Sequence, residues 1–433
     1  MDPRRLAPTL LVCGLALLVG TALLGPALAS PSATPAGDDP PDAGDGPRET
    51  LVGVQGVGSY TENGYVARLN GTREVWRESG ADAYFAVSRL PNGSVLAATT
   101  SAGRADCGPY DAPCVRTGYR IVDPAPTPSV VGGWTFPVRS QHNSEVHDVE
   151  PLPGGGYVVA DMDRERVVVV EDGEVTWEWR AAERYDRPDD PTRTDWLHIN
   201  DVDRIGKGRF LVSVRNANQL VIVERGEGVV EVINGGPDDR EGNTSVIHRQ
   251  HNPQWLGDGA VLVADSENHR VVELHRTADG DWEPAWVLTG AGGTRFDWPR
   301  DADRLPNGNT LITDTRNARL VEVNESGAVV WQKRFTYRAL PYEADRLPYG
   351  EPVGGPRYAG GSGSGGGTAT PTTPHEAVDG TGRVPVLTPA LRLVTAAVRV
   401  PRWFAEPHLL AVLLGVVATG SGAALGWLNR RNG

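Results

Sequence analysis

Asp303-Arg304-Leu305-Pro306-Asn307-Gly308, followed by the apolar run Thr310-Leu311-Ile312-Thr313, is the clearest copy of a phrase that occurs six times along this chain. The others are Ser88-Arg89-Leu90-Pro91-Asn92-Gly93, Glu150-Pro151-Leu152-Pro153-Gly154-Gly155, Asp203-Arg204-Ile205-Gly206-Lys207-Gly208, Gln254-Trp255-Leu256-Gly257-Asp258-Gly259 and Asp345-Arg346-Leu347-Pro348-Tyr349-Gly350. From Arg89 to Pro151, Arg204, Trp255, Arg304 and Arg346 the steps are 62, 53, 51, 49 and 42 residues. After each phrase comes a short apolar strand (Tyr157-Val158-Val159-Ala160, Phe210-Leu211-Val212-Ser213), then a polar turn, then a further strand such as Gln219-Leu220-Val221-Ile222-Val223. A last strand often carries Trp, as in Trp177-Glu178-Trp179 and Val329-Val330-Trp331. Four short strands in units of near 50 residues specify the blades of an all-β propeller.

The two ends of the repeat region show how the ring closes. The sixth phrase has no outer strands after it, only glycine-rich sequence. Residues 51–80 supply outer strands (Tyr65-Val66-Ala67-Arg68-Leu69, Glu74-Val75-Trp76-Arg77) with no phrase before them. Joining the two makes a sixth blade from opposite ends of the domain, so the expected fold is a six-bladed β-propeller over 51–353, closed by N-terminal strands. Closure removes the exposed edge that an open sheet would carry.

The chain has 433 residues and a net charge of −13, with two lysines, Lys207 and Lys333. No basic face for nucleic acid is present. An acidic, Lys-poor surface suits a high-salt environment, and a genome that favours Arg codons gives the same usage. Residues 1–29 hold an apolar run from Leu6 to Ala29 behind Arg4-Arg5, read as an uncut signal anchor. Residues 30–50 read as a linker, 354–387 as a Gly/Ser/Thr/Pro-rich tether, and 388–408 as an amphipathic juxtamembrane segment. Residues 409–428 are uncharged and precede Arg430-Arg431, the pattern of a second transmembrane helix. Basic residues at both extremes place the termini in the cytoplasm and the propeller on the extracytoplasmic side. Cys107 and Cys114, close together in a Gly/Pro/Asp-rich loop, fit a disulfide in such a compartment. Cys13 sits within the first apolar run. Sequons at Asn70, Asn92, Asn243 and Asn324 fit an exported surface.

The innermost strand of a blade lines the central channel. Four positions before the second residue of each phrase stand Phe85, His147, Asn200, His251, Arg300 and Tyr342. The next position holds Ala86, Asp148, Asp201, Asn252, Asp301 and Glu343, and His198 precedes Asn200 by two. In the second strands Asp161, Asp265 and Asp314 recur, a structural signature, whereas blade three has Val214-Arg215 in that place. Imidazoles converging with guanidinium and amide groups make a pocket for an oxyanion, and a neutral imidazole is also a nucleophile. Three histidines are also a zinc-ligand set, although a guanidinium beside a metal is unfavourable. His248, His269 and His275 read as surface or turn residues, His142 lies close to the mouth, and His375 and His408 fall in the tether and at the membrane edge.

With these residues in place the chain resembles a known family. Asp195-Trp196-Leu197-His198-Ile199-Asn200, Ser213-Val214-Arg215 and Arg249-Gln250-His251, preceded by His147-Asp148, resemble the arylsulfate sulfotransferases, here of a haloarchaeal, membrane-anchored type. Those are exported six-bladed propellers that move a sulfuryl group from an aryl sulfate to a phenol without a nucleotide sulfate donor. The resemblance covers about residues 51–350. It implies a ping-pong reaction in which His251 becomes sulfated, His198, Asn200 and Arg215 hold the sulfuryl oxygens, and His147 is the general acid/base. Asn252, Arg300, Phe85 and Tyr342 complete the expected substrate pocket. The implied partners are a small aryl sulfate and a phenol, with no cofactor and no metal; pairing with a second copy of the chain stays open. Two other readings are weighed beside this one. Asp265-Ser266-Glu267-Asn268-His269-Arg270-Val271-Val272 reads like an NHL repeat, which points to a membrane-tethered binding platform. A metal-dependent propeller lyase would use the histidines as zinc ligands.

Overall fold

The computed structural model describes residues 48–55, 64–336, 339–358, 409–414 and 416. Among these, six antiparallel four-stranded sheets stand around one axis. Their innermost strands are Ala83–Arg89, Val146–Pro151, Ile199–Gly206, His251–Gly257, Asp301–Arg304 and Pro341–Arg346, which define blades 1 to 6 in that order. Blade 6 is composite: Pro341–Arg346 pairs with Glu49–Val54, which continues through Tyr65–Asn70 to Arg73–Glu78. The closure expected from the two incomplete ends is present. A small hairpin, Gly290–Ala291 with Thr294–Arg295, lies between blades 4 and 5.

The core is divided into wedges between neighbouring blades. Val158, Trp179, Val202 and Phe210 fill the space between blades 2 and 3, and Leu211, Ile222, Val261 and Val272 the space between 3 and 4. Between blades 6 and 1 the contacts are made by Leu51, Val66, Val87 and Leu96's neighbours Val95 and Ala97. Strands buried on both faces tolerate apolar residues at every position, which is why runs such as Val167-Val168-Val169-Val170 are uninterrupted.

A polar latch runs around the axis. The Asp148 carboxylate accepts the Val202 N–H at 2.9 Å, Glu150 that of Arg204 at 2.7 Å, and Gln254 Oε1 that of Arg304 at 2.7 Å. Asp301 accepts Ala344 N–H at 2.9 Å, and Glu343 accepts Val87 N–H at 2.8 Å. Each bond ties an inner strand to the next blade, satisfying backbone donors that no sheet partner reaches. The recurrent Asp161, Asp265 and Asp314 act further out, where each also binds an arginine five residues on (Arg166, Arg270, Arg319).

The chain stays packed on the propeller past residue 353. Gly354 N–H bonds Trp255 O at 2.7 Å, and Tyr358 is buried, donating to Gly308 O at 2.6 Å. Buried Arg304 is clamped between Glu273 at 3.0 Å and the Tyr358 ring, 3.3 Å from its centroid. Cys107 and Cys114 form the expected disulfide. No helix among the described residues is long and apolar enough to cross a membrane. The propeller begins earlier than expected, since residues 49–50, expected in the linker, open the strand Glu49–Val54. The expected anchor, the linker before residue 48, the tether past residue 358 and the juxtamembrane segment lie outside the described residues, as does the second apolar run apart from helical residues 409–414 and 416, which belong to a separate unit.

Candidate functional site

A strand normally alternates its side chains between two faces. Here the register breaks where chemistry is needed: between Tyr84 and Val87, Val146 and Val149, Ile199 and Asp201, and His251 and Gln254. In blade 6 the break lies opposite Tyr342, between Gly53 and Val54. A bulge admits one extra residue and re-aims its neighbours. Both the ring position and the one after it are buried in all six blades.

The ring residues meet. Phe85 lies 4.7 Å from His147 and 5.1 Å from Tyr342, between ring centroids. His147 lies 5.2 Å from His198 and 5.4 Å from Tyr342, and His251 lies 6.0 Å from Tyr342. The Arg300 guanidinium sits 4.6 Å above the Tyr342 ring. Asn200, fully buried, donates to Gln250 O at 2.9 Å, beside His251. Arg215, on a short 3-10 turn, is 7% exposed, and its charge reaches His147, His198 and His251. Asn252 departs from this group: its amide donates to Glu343 at 2.9 Å and belongs to the channel below the histidines. His248 and His275 lie outside the site, and the His142 side chain is outside the described residues.

The three imidazoles are held differently. His147 Nε2 pairs with Glu145 at 3.0 Å, and His198 Nδ1 pairs with Asp195 at 2.6 Å. His251 Nδ1 pairs instead with the neutral Ser266 hydroxyl at 2.8 Å. That hydroxyl spends its own proton on Pro299 O at 2.7 Å, so it accepts from His251. The pattern assigns the proton of His251 to Nδ1 and leaves Nε2 bare. Burial, then the charges of Arg300 and Arg215, holds His251 well below the usual histidine range. Burial also pushes His198 down to about 4, against its bond to Asp195. For His147 burial lowers the pKa while Glu145 opposes it, and Arg300 and Arg215 lower it further.

Around these rings six buried polar atoms have no protein partner: His147 Nδ1, Asn200 Oδ1, Arg215 Nε, Arg300 Nε, Trp298 Nε1 and the Tyr342 hydroxyl. Burial holds Tyr342 well above the ordinary phenol range, so it stays a neutral donor, and it brings Arg300 down to about 10. Four of the six are donors. Native proteins leave few buried polar groups unpaired, and a cluster of them points to a ligand; donors with two guanidiniums point to an oxyanion. Among the described residues no three His, Cys, Asp or Glu side chains are placed to hold a metal ion.

Below the site the channel is acidic. Asp201, Asp203, Asp303, Asp345, Glu343 and Glu351 are all raised well above the ordinary carboxyl range, by burial first and mutual repulsion second. Asp148 and Asp301 are raised to about 7 and Glu150 to about 8, again mainly by burial.

Sequence reasoning missed Glu145, Ser266, Arg249 and Trp298. Glu145, Arg249 and Trp298 stand two residues before His147, His251 and Arg300, as His198 stands before Asn200. His198, Arg249 and Trp298 all adopt left-handed backbone, with φ of 55°, 48° and 59°. Each is clasped through its N–H by a side chain of the preceding blade: Glu165 at 2.7 Å, Asn218 at 3.0 Å and His269 at 3.1 Å. The same register marks Ser266, which occupies in blade 4 the place of Arg215 in blade 3 and Thr315 in blade 5.

No family model matches the chain, and no curated protein matches it. Solved structures do resemble it. A protein of unknown function from Bacteroides caccae aligns at 17% identity over 69% of this chain and 98% of its own, with a TM-score of 0.48. A putative 6-phosphogluconolactonase from Bacteroides fragilis aligns at 9% identity over 71% and 99%, with a TM-score of 0.41. The periplasmic gluconolactonase of Pseudomonas aeruginosa aligns at 12% identity over 68% and 98%, with a TM-score of 0.38.

Proposed function

We propose that this protein is an arylsulfotransferase that passes a sulfuryl group from an aryl sulfate to a phenol through a sulfated His251. The observation that carries the reading is His251 itself: a buried imidazole with Nδ1 tied to Ser266, Nε2 bare, and unpartnered donors on two guanidiniums and a phenol around it. The Nε2 lone pair attacks sulfur while the bond from sulfur to the aryl oxygen breaks, and the electron pair leaves with the phenolate. Arg215 and Arg300 offset the charge on the transferring oxygens, the interaction that contributes most in such steps. The two carboxylate-backed histidines suit proton transfer better, because their partners stabilise an imidazolium. His147, with Nδ1 unpartnered, gives the proton to the departing phenolate and then takes one from the acceptor. A bound sulfate ester favours this, since burial first and then the two arginines keep His147 neutral, and its negative charge offsets the arginines.

The flanking apolar runs would hold the enzyme at the membrane with its propeller outside, a placement that the Cys107–Cys114 disulfide suits. The test is release of nitrophenolate from para-nitrophenyl sulfate by the full chain, with and without phenol. Phenol-dependent release that disappears in His251→Ala supports the reading, and unchanged release in that variant refutes the nucleophile. A folded chain that releases nothing shifts the function to binding.

A further inference from the structure

Trp298 is the least expected member of the site. It is bulky, half-buried and left-handed, a backbone state that costs energy for any residue with a branched or large side chain. Such a state persists only where surrounding bonds impose it. Here the bond is the Trp298 N–H donating to His269 Nδ1 at 3.1 Å, the blade 4 member of the clasp that Glu165 and Asn218 form in blades 2 and 3. The indole is also fixed laterally. The Arg300 guanidinium lies 3.9 Å from its ring centroid and that of Arg316 lies 4.0 Å from it. Its ring meets His251 nearly perpendicularly, at 5.8 Å and 79°. With guanidiniums against the ring, the group left to contact a ligand is the edge. On that edge the indole Nε1–H is buried without an acceptor.

An indole N–H is a donor and nothing else. Its complement is an acceptor oxygen, and beside two cations the acceptor that fits best is an anionic one. We propose that Trp298 is an oxyanion-binding residue of this site, donating Nε1–H to an oxygen of the bound sulfuryl group, and that His269 is the positioning residue that holds it there. This inference rests on the functional reading for the identity of the oxyanion. The clasp itself does not depend on that reading. His269 thus acts on the ligand at one remove, through the backbone of Trp298. Asn218 does the equivalent job for Arg249 with an amide oxygen, so asparagine is a competent acceptor at this place in the repeat.

The test is binding of benzenesulfonate, an unreactive aryl–SO3 anion, to the full chain by calorimetry. Trp298→Phe keeps an aromatic ring between the guanidiniums and removes the N–H together with the pyrrole part of the indole; roughly tenfold weaker binding is expected, the loss of one hydrogen bond to a charged group. His269→Ala is expected to weaken binding by a similar factor, and His269→Asn to restore it. Unaltered binding in Trp298→Phe overturns the donor role. A His269→Asn variant as weak as His269→Ala overturns the positioning role, because a general packing defect would not be rescued by a smaller acceptor. If Trp298→Phe does not fold, His269→Ala against His269→Asn still decides whether the clasp matters. Turnover is measured separately on the unaltered chain. Binding that depends on Trp298 without sulfuryl transfer refutes the enzyme and keeps this inference; absence of benzenesulfonate binding overturns this inference whatever the turnover.

Discussion

Replacing Ser266 with alanine is the sharpest perturbation of the proposed chemistry, because Ser266 touches the nucleophile from the side away from the pocket. Ser266 is fully buried and His251 is 1% exposed, so no solvent takes over the lost bond. The variant leaves His251 Nδ1–H and the Pro299 carbonyl without their partner at 2.8 and 2.7 Å. Each such orphan costs about 1–3 kcal/mol. The imidazole then has no preference for the tautomer with Nε2 bare, and its ring is free to turn. A loss of about 1.4–2.8 kcal/mol in transition-state stabilisation corresponds to roughly a 10- to 100-fold lower kcat/KM. The assay is phenol-dependent nitrophenolate release, with the fold checked by near-ultraviolet circular dichroism. KM should change little, since Ser266 lies behind the imidazole. Ser266→Thr should stay active, as Thr315 occupies the same place in blade 5, fully buried. Full turnover in a folded Ser266→Ala variant, or equal loss in Ser266→Thr, would refute the reasoning.

Other consequences are equally measurable. Arg300→Met removes a charge that depresses His251, so the acid limb of the kcat/KM profile should move to higher pH; an unmoved limb would show that Arg300 does not act on His251. The channel carboxyls near 7 and 8 (Asp148, Asp301, Glu150) keep protons in the folded state that an unfolded chain releases above about pH 4. Stability should therefore fall as pH rises from about 5 to 8, read as the urea midpoint, and a midpoint that rises instead would contradict the burial of these groups. Arg304→Ala removes the guanidinium from the fully buried Glu273 carboxylate, leaving it His275 Nε2 at 2.6 Å and the Tyr358 N–H at 3.1 Å, and uncovers the Tyr358 ring, for an expected loss of about 3 kcal/mol in chemical denaturation. A chain starting at residue 82 lacks the three outer strands of blade 6 and should lose cooperative unfolding; a sharp transition in that chain would mean that ring closure does not require them.

Much of this architecture was legible because propeller blades are local. A strand, a turn and the next strand follow one another in sequence, so a phrase that ends one inner strand and begins its neighbour marks each blade and fixes its register. Counting back from the phrase located Phe85, His147, Asn200, His251, Arg300 and Tyr342, and all six are buried at the axis. The incomplete ends at 51–80 and 345–350 gave the closure. Counting alone failed at Asn252. The bulge that buries consecutive residues does not tell which of them faces the ligand, and Asn252 turned to Glu343, which is 91 residues away in the chain.

The sequence by itself determined the number of blades, how the ring closes and which side chains reach the axis, because these follow from periodicity and strand pairing. Only the tertiary structure decided what those side chains can do. The difference between His147 and His251 lies in their partners, Glu145 for one and Ser266 with Pro299 behind it for the other. The backbone of Trp298 is held by the bond its N–H donates to His269 Nδ1 in the preceding blade. Proton position, charge and donor direction are set by contacts between blades, across stretches of chain that no local pattern connects.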